Sequence, residues 1–195
     1  MNGFAEDNAP AYEPPLSKAA FLHWVQRQEQ RHELKDGWAI MQAGTTKRHN
    51  NICINFIKVL TSTLKPDEWA VQMADVAVEI GDDIRYPDVL LERFGGDDKD
   101  LSTDRPVLLV EVLSPSSTAT DMTVKLAEYT QLASLQTYIV ASQDEPIVWV
   151  WQRDPQTGTF PSMPQEFSGQ DGVILVTGLS ISLPLSELYR GIAAR

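Results

Sequence analysis

The segment Pro106–Leu113, PVLLVEVL, constrains this chain more than any other stretch. A strand with one face in water alternates apolar and polar residues. A run without alternation belongs to a strand covered on both faces. The segment SSTATDMTVKLAEYTQL follows, with Met122, Leu126, Tyr129 and Leu132 on one helical stripe, and then QTYIVAS, a further strand. Strand, helix, strand is the crossover that joins parallel strands, so a central sheet must lie between helical layers. One residue does not suit the reading. Glu111 puts a carboxylate inside the strand that looks most buried.

The remaining segments build an α/β fold, a mixed central sheet flanked by helices, around that unit. Residues 1–15 read as a disordered tail and residues 16–195 as a single domain. Ser17 is placed to cap a helix carrying Phe21, Trp24, Val25 and Gln28. RHELKDGWAIMQA reads as two short strands around a turn at Lys35-Asp36-Gly37. TTKRHNNICINFIKVLTSTLK is the clearest helix. Thr45 or Thr46 caps it, Ile52, Phe56, Val59 and Leu60 form its stripe, and Pro66 ends it. WAVQMADVAVEI alternates in part, YPDVLLER reads as a strand beginning at Pro87, and GGDDKDLSTD as a polar loop. IVWVWQR pairs with QTYIVAS across the turn Gln143–Pro146. Its apolar faces suit either a core strand or pairing across a two-fold homodimer. GVILVT and LSISLP are shorter strands, and LSELYRGI a final helix.

Alternation along a strand puts Asp88 on a face with Leu90 and Glu92, and Glu111 on a face with Leu109 and Leu113. If the two strands are neighbours, the carboxylates stand side by side. Two buried carboxylates without a partner cost several kcal/mol each, so one takes up a proton or both bind a cation. Mg²⁺ suits such a pair, because it takes one or two protein carboxylates and keeps waters for a phosphate. The plainer reading leaves them wet and inert at a sheet edge. Lys125 begins a similar choice. It lies one turn after Asp121 and one before Tyr129, which allows an ordinary Asp121–Lys125 helical ion pair. The same spacing lets a lysine stand over the strand end and act on a metal-activated water or a developing phosphate charge.

Charge and cysteine content narrow the classes. The net charge of −11 argues against a protein that grips nucleic acid by its phosphates alone. The acid excess lies beyond residue 65, so the slightly basic N-terminal third, with Lys47, Arg48 and Lys58, is the surface that could face DNA. The single cysteine, Cys53, excludes an internal disulfide and a cysteine-based zinc cage, and reads as a core residue or, less simply, as a reactive thiol. The opening residues lack the basic start and apolar run of a signal peptide, and no apolar run reaches membrane-spanning length, so a cytoplasmic protein is expected.

Six pieces in order then resemble one known family. They are RHELKDG at 31–37, TTKRHNNI at 45–52, PDVLL at 87–91, VEVLSPSS at 110–117, DMTVKLAEY at 121–129 and LQTYIV at 135–140. From about Phe21 to Ile192 the chain looks like the Uma-type branch of the PD-(D/E)XK nuclease superfamily, described as "putative restriction endonucleases". The resemblance implies a restriction-endonuclease-like fold and Mg²⁺- or Mn²⁺-dependent hydrolysis of DNA. It implies that Asp88 and Glu111 hold the metal, that Glu33 completes the metal site, and that Lys125 is the site lysine. His49 matches a further family feature, and Asp121 and Tyr129 stand as supporting residues. The wider superfamily carries its lysine two residues after the second carboxylate. That position is Leu113 here, so a helix must supply the amine. The alternative on the same fold is a catalytically inactive nucleic-acid-associated or protein-interaction module.

Overall fold

A computed structural model describes residues 14–113 and 119–192. The tail at 1–13 and the Ser-Pro turn expected after Leu113 lie outside the described residues. Helix α1, Lys18–Val25, is capped by Ser17, whose hydroxyl accepts the Ala20 N–H at 3.2 Å. Strands β1, His32–Lys35, and β2, Trp38–Met41, form the expected hairpin. Its two turn residues, Asp36 at φ 50° and Gly37 at φ 80°, both take the left-handed conformation of the two-residue hairpin turn. Helix α2, Lys47–Thr63, starts at Thr46, whose hydroxyl accepts the His49 N–H at 3.1 Å. Its stripe buries Ile52, Cys53, Phe56 and Leu60.

WAVQMADVAVEI is not one strand. β3, Trp69–Met73, and β4, Ala77–Ile80, belong to different sheets. Next come β5, Asp83–Arg85, and β6, Val89–Arg93. β6 begins two residues later than Pro87, which leaves Asp88 in the bend before it. The polar loop contains a two-residue strand, β7, Ser102–Thr103. β8, Pro106–Leu113, runs through α3, Ala119–Tyr129, to β9, Thr137–Ser142. β8 and β9 pair in parallel, as the crossover requires. β10, Ile147–Gln152, returns antiparallel to β9. β11, Gln165–Ser168, then covers the far edge of β10, so that strand offers no open edge for a dimer to extend. β12, Val173–Val176, and β13, Ile181–Pro184, form a hairpin before the short α4, Leu185–Leu188.

The six-stranded sheet has the order β11-β10-β9-β8-β6-β3, and β8 is internal to it. Leu108, Val110 and Val112 face one core, under α2, α4 and the β12–β13 hairpin. Leu109 and Leu113 face the other, with Tyr129, Tyr138 and Trp151. β8 is thus covered on both faces, as its lack of alternation requires. The second core also contains Val78 and Ile80 of β4, so the five-stranded sheet β2-β1-β5-β4-β7 packs on the face that Glu111 shares. Among the described residues no helix is long and apolar enough to cross a membrane.

Candidate active site

The site is built where β8 outruns β6. Their antiparallel register pairs Val89 with Val110, and one further step sets Asp88 opposite Glu111. β6 has ended there, so the Val112 N–H has no strand partner on that side. The Asp88 Oδ2 accepts it at 2.7 Å. An unpaired buried N–H is costly, so this bond fixes the carboxylate on the strand that carries Glu111. His49, buried in the first turn of α2, reaches the same oxygen through Nε2 at 3.1 Å. Burial pulls its pKa down, but the bond to Asp88 and that carboxylate's charge outweigh burial and leave it raised.

Cys53 lies one turn along α2, with Sγ 3.6 Å from His49 Nδ1. Donor atoms of His49, Cys53 and Asp88 all fall within 4.8 Å of one another, a spacing that could suit a metal ion. The geometry favours a hydrogen-bond chain instead. The thiol meets Nδ1 and the carboxylate meets Nε2, so no single ring nitrogen faces both. Burial and the nearby Asp88 charge also push the thiol pKa up, which suits a protonated thiol in that chain. Cys53 is a core residue, and the chain orients Asp88.

Glu111 projects from β8 under α3. Its Oε1 accepts from the Lys125 Nζ at 2.9 Å and from the Tyr129 hydroxyl at 2.8 Å. Lys125 is therefore paired across the structure, and α3 delivers the amine that position 113 lacks. The side chain of Asp121 lies outside the described residues. Burial, reinforced by the charges of Asp88 and Glu33 and opposed by Lys125, pushes the Glu111 carboxyl up to about 7. Burial alone lowers the Lys125 pKa, but Glu111 and Glu33 outweigh it and hold the group as an ammonium.

Glu33 reaches the same cleft from β1 and is 3% exposed. The β1–β5 register pairs Leu34 with Ile84, which sets Glu33 beside Arg85 on the neighbouring strand. Arg85 Nη1 donates to Glu33 Oε2 at 2.7 Å. The Tyr86 N–H donates to Oε1 at 3.3 Å, and Lys125 Nζ lies 3.7 Å from that oxygen. The other edge of the Arg85 guanidinium binds Glu128 of α3, with bonds of 2.8 and 2.9 Å. Lys35 holds Glu128 at 3.0 Å and Asp83 at 2.7 Å. Arg85 and Glu128 escaped the sequence reading because β5 was not recognised. The one available signal was that Glu128 lies on the helix of Lys125, three residues on.

These groups line one cleft of about 470 Å³, which includes Glu33, His49, Arg85, Asp88, Glu111 and Lys125. Tyr129 touches Glu111 from below. The three basic residues of α2 do not line it. Lys47 and Lys58 are exposed elsewhere on the helix. Arg48 donates to the backbone carbonyls of Gln143 and Asp144, so its guanidinium ties α2 to the β9–β10 turn.

Comparison with known proteins bears on this geometry. A family model, Uma2, described as "Putative restriction endonuclease", matches residues 19–186. The chain is similar to the uncharacterized protein slr1290 of Synechocystis, 26% identical over 92% of this chain and 94% of that one. It is also similar to the uncharacterized protein sll1609 of the same organism, 26% identical over 66% of this chain and 75% of that one. A crystal structure described as "a putative nuclease belonging to DUF820", from Anabaena variabilis, has the same fold. It aligns with a TM-score of 0.72 and 19% identity over 90% of this chain and 98% of that one.

Proposed function

The chain belongs to the Uma2 family, and from that premise we propose that it is a metal-dependent endonuclease that hydrolyses phosphodiester bonds in DNA. The observation that carries the reading is the Lys125 ammonium 2.9 Å from Glu111 in the cleft that also holds Asp88. The donor set fits a hard divalent cation. Asp88 and Glu111 line one cleft at a strand end, and burial, reinforced by the charges of Asp88 and Glu33, raises the Glu111 pKa, a cost that a bound cation would offset. Asp88 and Glu111 would hold Mg²⁺ or Mn²⁺. When bound, the ion supplies Lewis-acid polarisation of the phosphate and a more acidic water.

The chain's own residues do the rest. The Val112 N–H and His49 fix Asp88, so its carboxylate does not have to reorganise. Tyr129 and Lys125 fix Glu111. Lys125, held 2.9 Å from Glu111, is placed to position the attacking water or to donate a hydrogen bond to a phosphate oxygen and steady developing charge. The net charge of −11 favours a second reading, an inactive nucleic-acid-associated or protein-interaction module on the same fold.

The test incubates the protein with plasmid and linear DNA in Mg²⁺ or Mn²⁺, beside Glu111→Ala and Lys125→Ala. Cleavage by the wild type that falls about a hundredfold or more in both variants is expected for groups acting in the transition state. Absence of cleavage, or equal cleavage by all three, refutes the enzymatic reading and favours the module.

A further inference from the structure

We infer that Glu33 is a positioning residue: with Arg85 and Glu128 it forms a clamp that holds Lys125 over Glu111, and it does not ligate the metal. The inference rests on the cleft being a metal-dependent site, and it departs from the role that the family resemblance gives Glu33.

Three observations carry it. First, both oxygens of Glu33 are already engaged by the protein. Arg85 binds Oε2, while the Tyr86 N–H and the Lys125 ammonium approach Oε1. A buried carboxylate with a guanidinium at 2.7 Å would have to give up a charge-assisted bond to reach an ion. Second, Arg85 is shared. One edge holds Glu33 on β1 and the other holds Glu128 on α3. Glu128 lies three residues after Lys125, one helical turn away, so fixing Glu128 fixes the rotation of the helix that presents the amine. Third, Lys125 lies between the two carboxylates, 2.9 Å from Glu111 and 3.7 Å from Glu33. The planar guanidinium bridges two carboxylates in a fixed plane, which a lysine ammonium at position 85 could not do.

The experiment measures Mn²⁺ binding by calorimetry for the wild type, Glu33→Gln, Asp88→Asn and Glu111→Gln. The rate at which Lys125 is acetylated is measured on the same proteins by peptide mass spectrometry, with exposed Lys47 as internal standard. Glutamine keeps the shape of Glu33 and an acceptor for Arg85. Affinity within about threefold of wild type is expected for Glu33→Gln, against a loss of about tenfold or more for Asp88→Asn and Glu111→Gln. Lys125 should be acetylated severalfold faster in Glu33→Gln, and also in Glu128→Gln, which opens the clamp from its outer end. In cleavage assays Glu33→Gln should lower kcat and leave the Mn²⁺ half-saturation unchanged. A loss of Mn²⁺ affinity in Glu33→Gln as large as that in Glu111→Gln overturns the inference, and so does unchanged Lys125 acetylation in both clamp variants. If Glu33→Gln does not fold, Glu128→Gln is judged by the same two limits. A wild type that binds no Mn²⁺, or binding unaltered by Asp88→Asn and Glu111→Gln, is a different pattern. It removes the metal-dependent reading itself, and the inference with it.

Discussion

Arg85→Met is the substitution whose consequence can be worked out most fully. It keeps most of the aliphatic stem and removes the guanidinium. The wild-type side chain is 9% exposed, against 3% for Glu33 and 8% for Glu128, and it makes bonds of 2.7, 2.8 and 2.9 Å to the two. Breaking a buried ion pair by removing one partner costs about 3–5 kcal/mol, because the other charge is left unpaired. Lys35 still holds Glu128 at 3.0 Å, and the Tyr86 N–H still serves Glu33. The loss should therefore fall near the lower end, at about 3 kcal/mol. For a chain of this size that is a fall in Tm of roughly 6–12 °C.

The pH dependence of that loss sharpens the test. In the wild type, burial raises the Glu128 pKa, but the bonds to Arg85 and Lys35 outweigh it and hold the group low. A lowered carboxylate contributes stability that is present above its unfolded pKa and is lost as pH falls through the folded value. Arg85→Met removes the larger of those opposing bonds. Glu128 then protonates more readily, and the deficit shrinks as the solution is acidified. Urea unfolding in EDTA, followed by tryptophan fluorescence and far-ultraviolet circular dichroism at pH 7.5 and at pH 4, below the ordinary carboxyl value, should show a larger loss at pH 7.5. Adding Glu128→Gln to Arg85→Met should recover part of it. A loss under about 1 kcal/mol, or one equal at both pH values, would mean that the carboxylates are not dependent on Arg85.

Two further outcomes follow from the same geometry. The Glu111 carboxyl is pushed up to about 7 from its ordinary 4.5. A raised folded pKa makes the metal-free protein lose stability as pH rises from about 4.5 to 7, by at most about 3 kcal/mol. Glu111→Gln should flatten that slope in urea titrations run in EDTA, and identical slopes would refute the assignment. Separately, placing lysine at the superfamily's usual position tests whether the amine matters more than its origin. Leu113→Lys added to Lys125→Ala should recover part of the cleavage lost by Lys125→Ala alone, and no recovery would show that delivery from α3 is essential.

Much of this molecule was legible without coordinates. The unbroken apolar run of β8 required cover on both faces, and its two sets of side chains do lie in two separate cores. Ser17 and Thr46 act as caps, and the Asp36-Gly37 turn forms, because each depends on neighbours in the chain. The proximity of Asp88, Glu111 and Lys125 could be anticipated from strand alternation, helix spacing and family resemblance together. The failures have a common cause. β5 is three residues long and β11 is polar, so neither carries a periodic signal that separates it from a loop. The division of WAVQMADVAVEI between two sheets depends on what each half packs against.

The sequence alone determined which residues are candidates for the site, because residue type, strand alternation and helical spacing are local properties of the chain, and the family resemblance is read from the same residues. Tertiary structure alone decided how those residues are held. Glu33 meets Arg85 because β1 and β5 pair at Leu34 and Ile84. Asp88 takes the Val112 N–H because β6 stops before β8 does. Both are contacts between distant segments, and each is fixed by where a strand ends or which strand lies beside it.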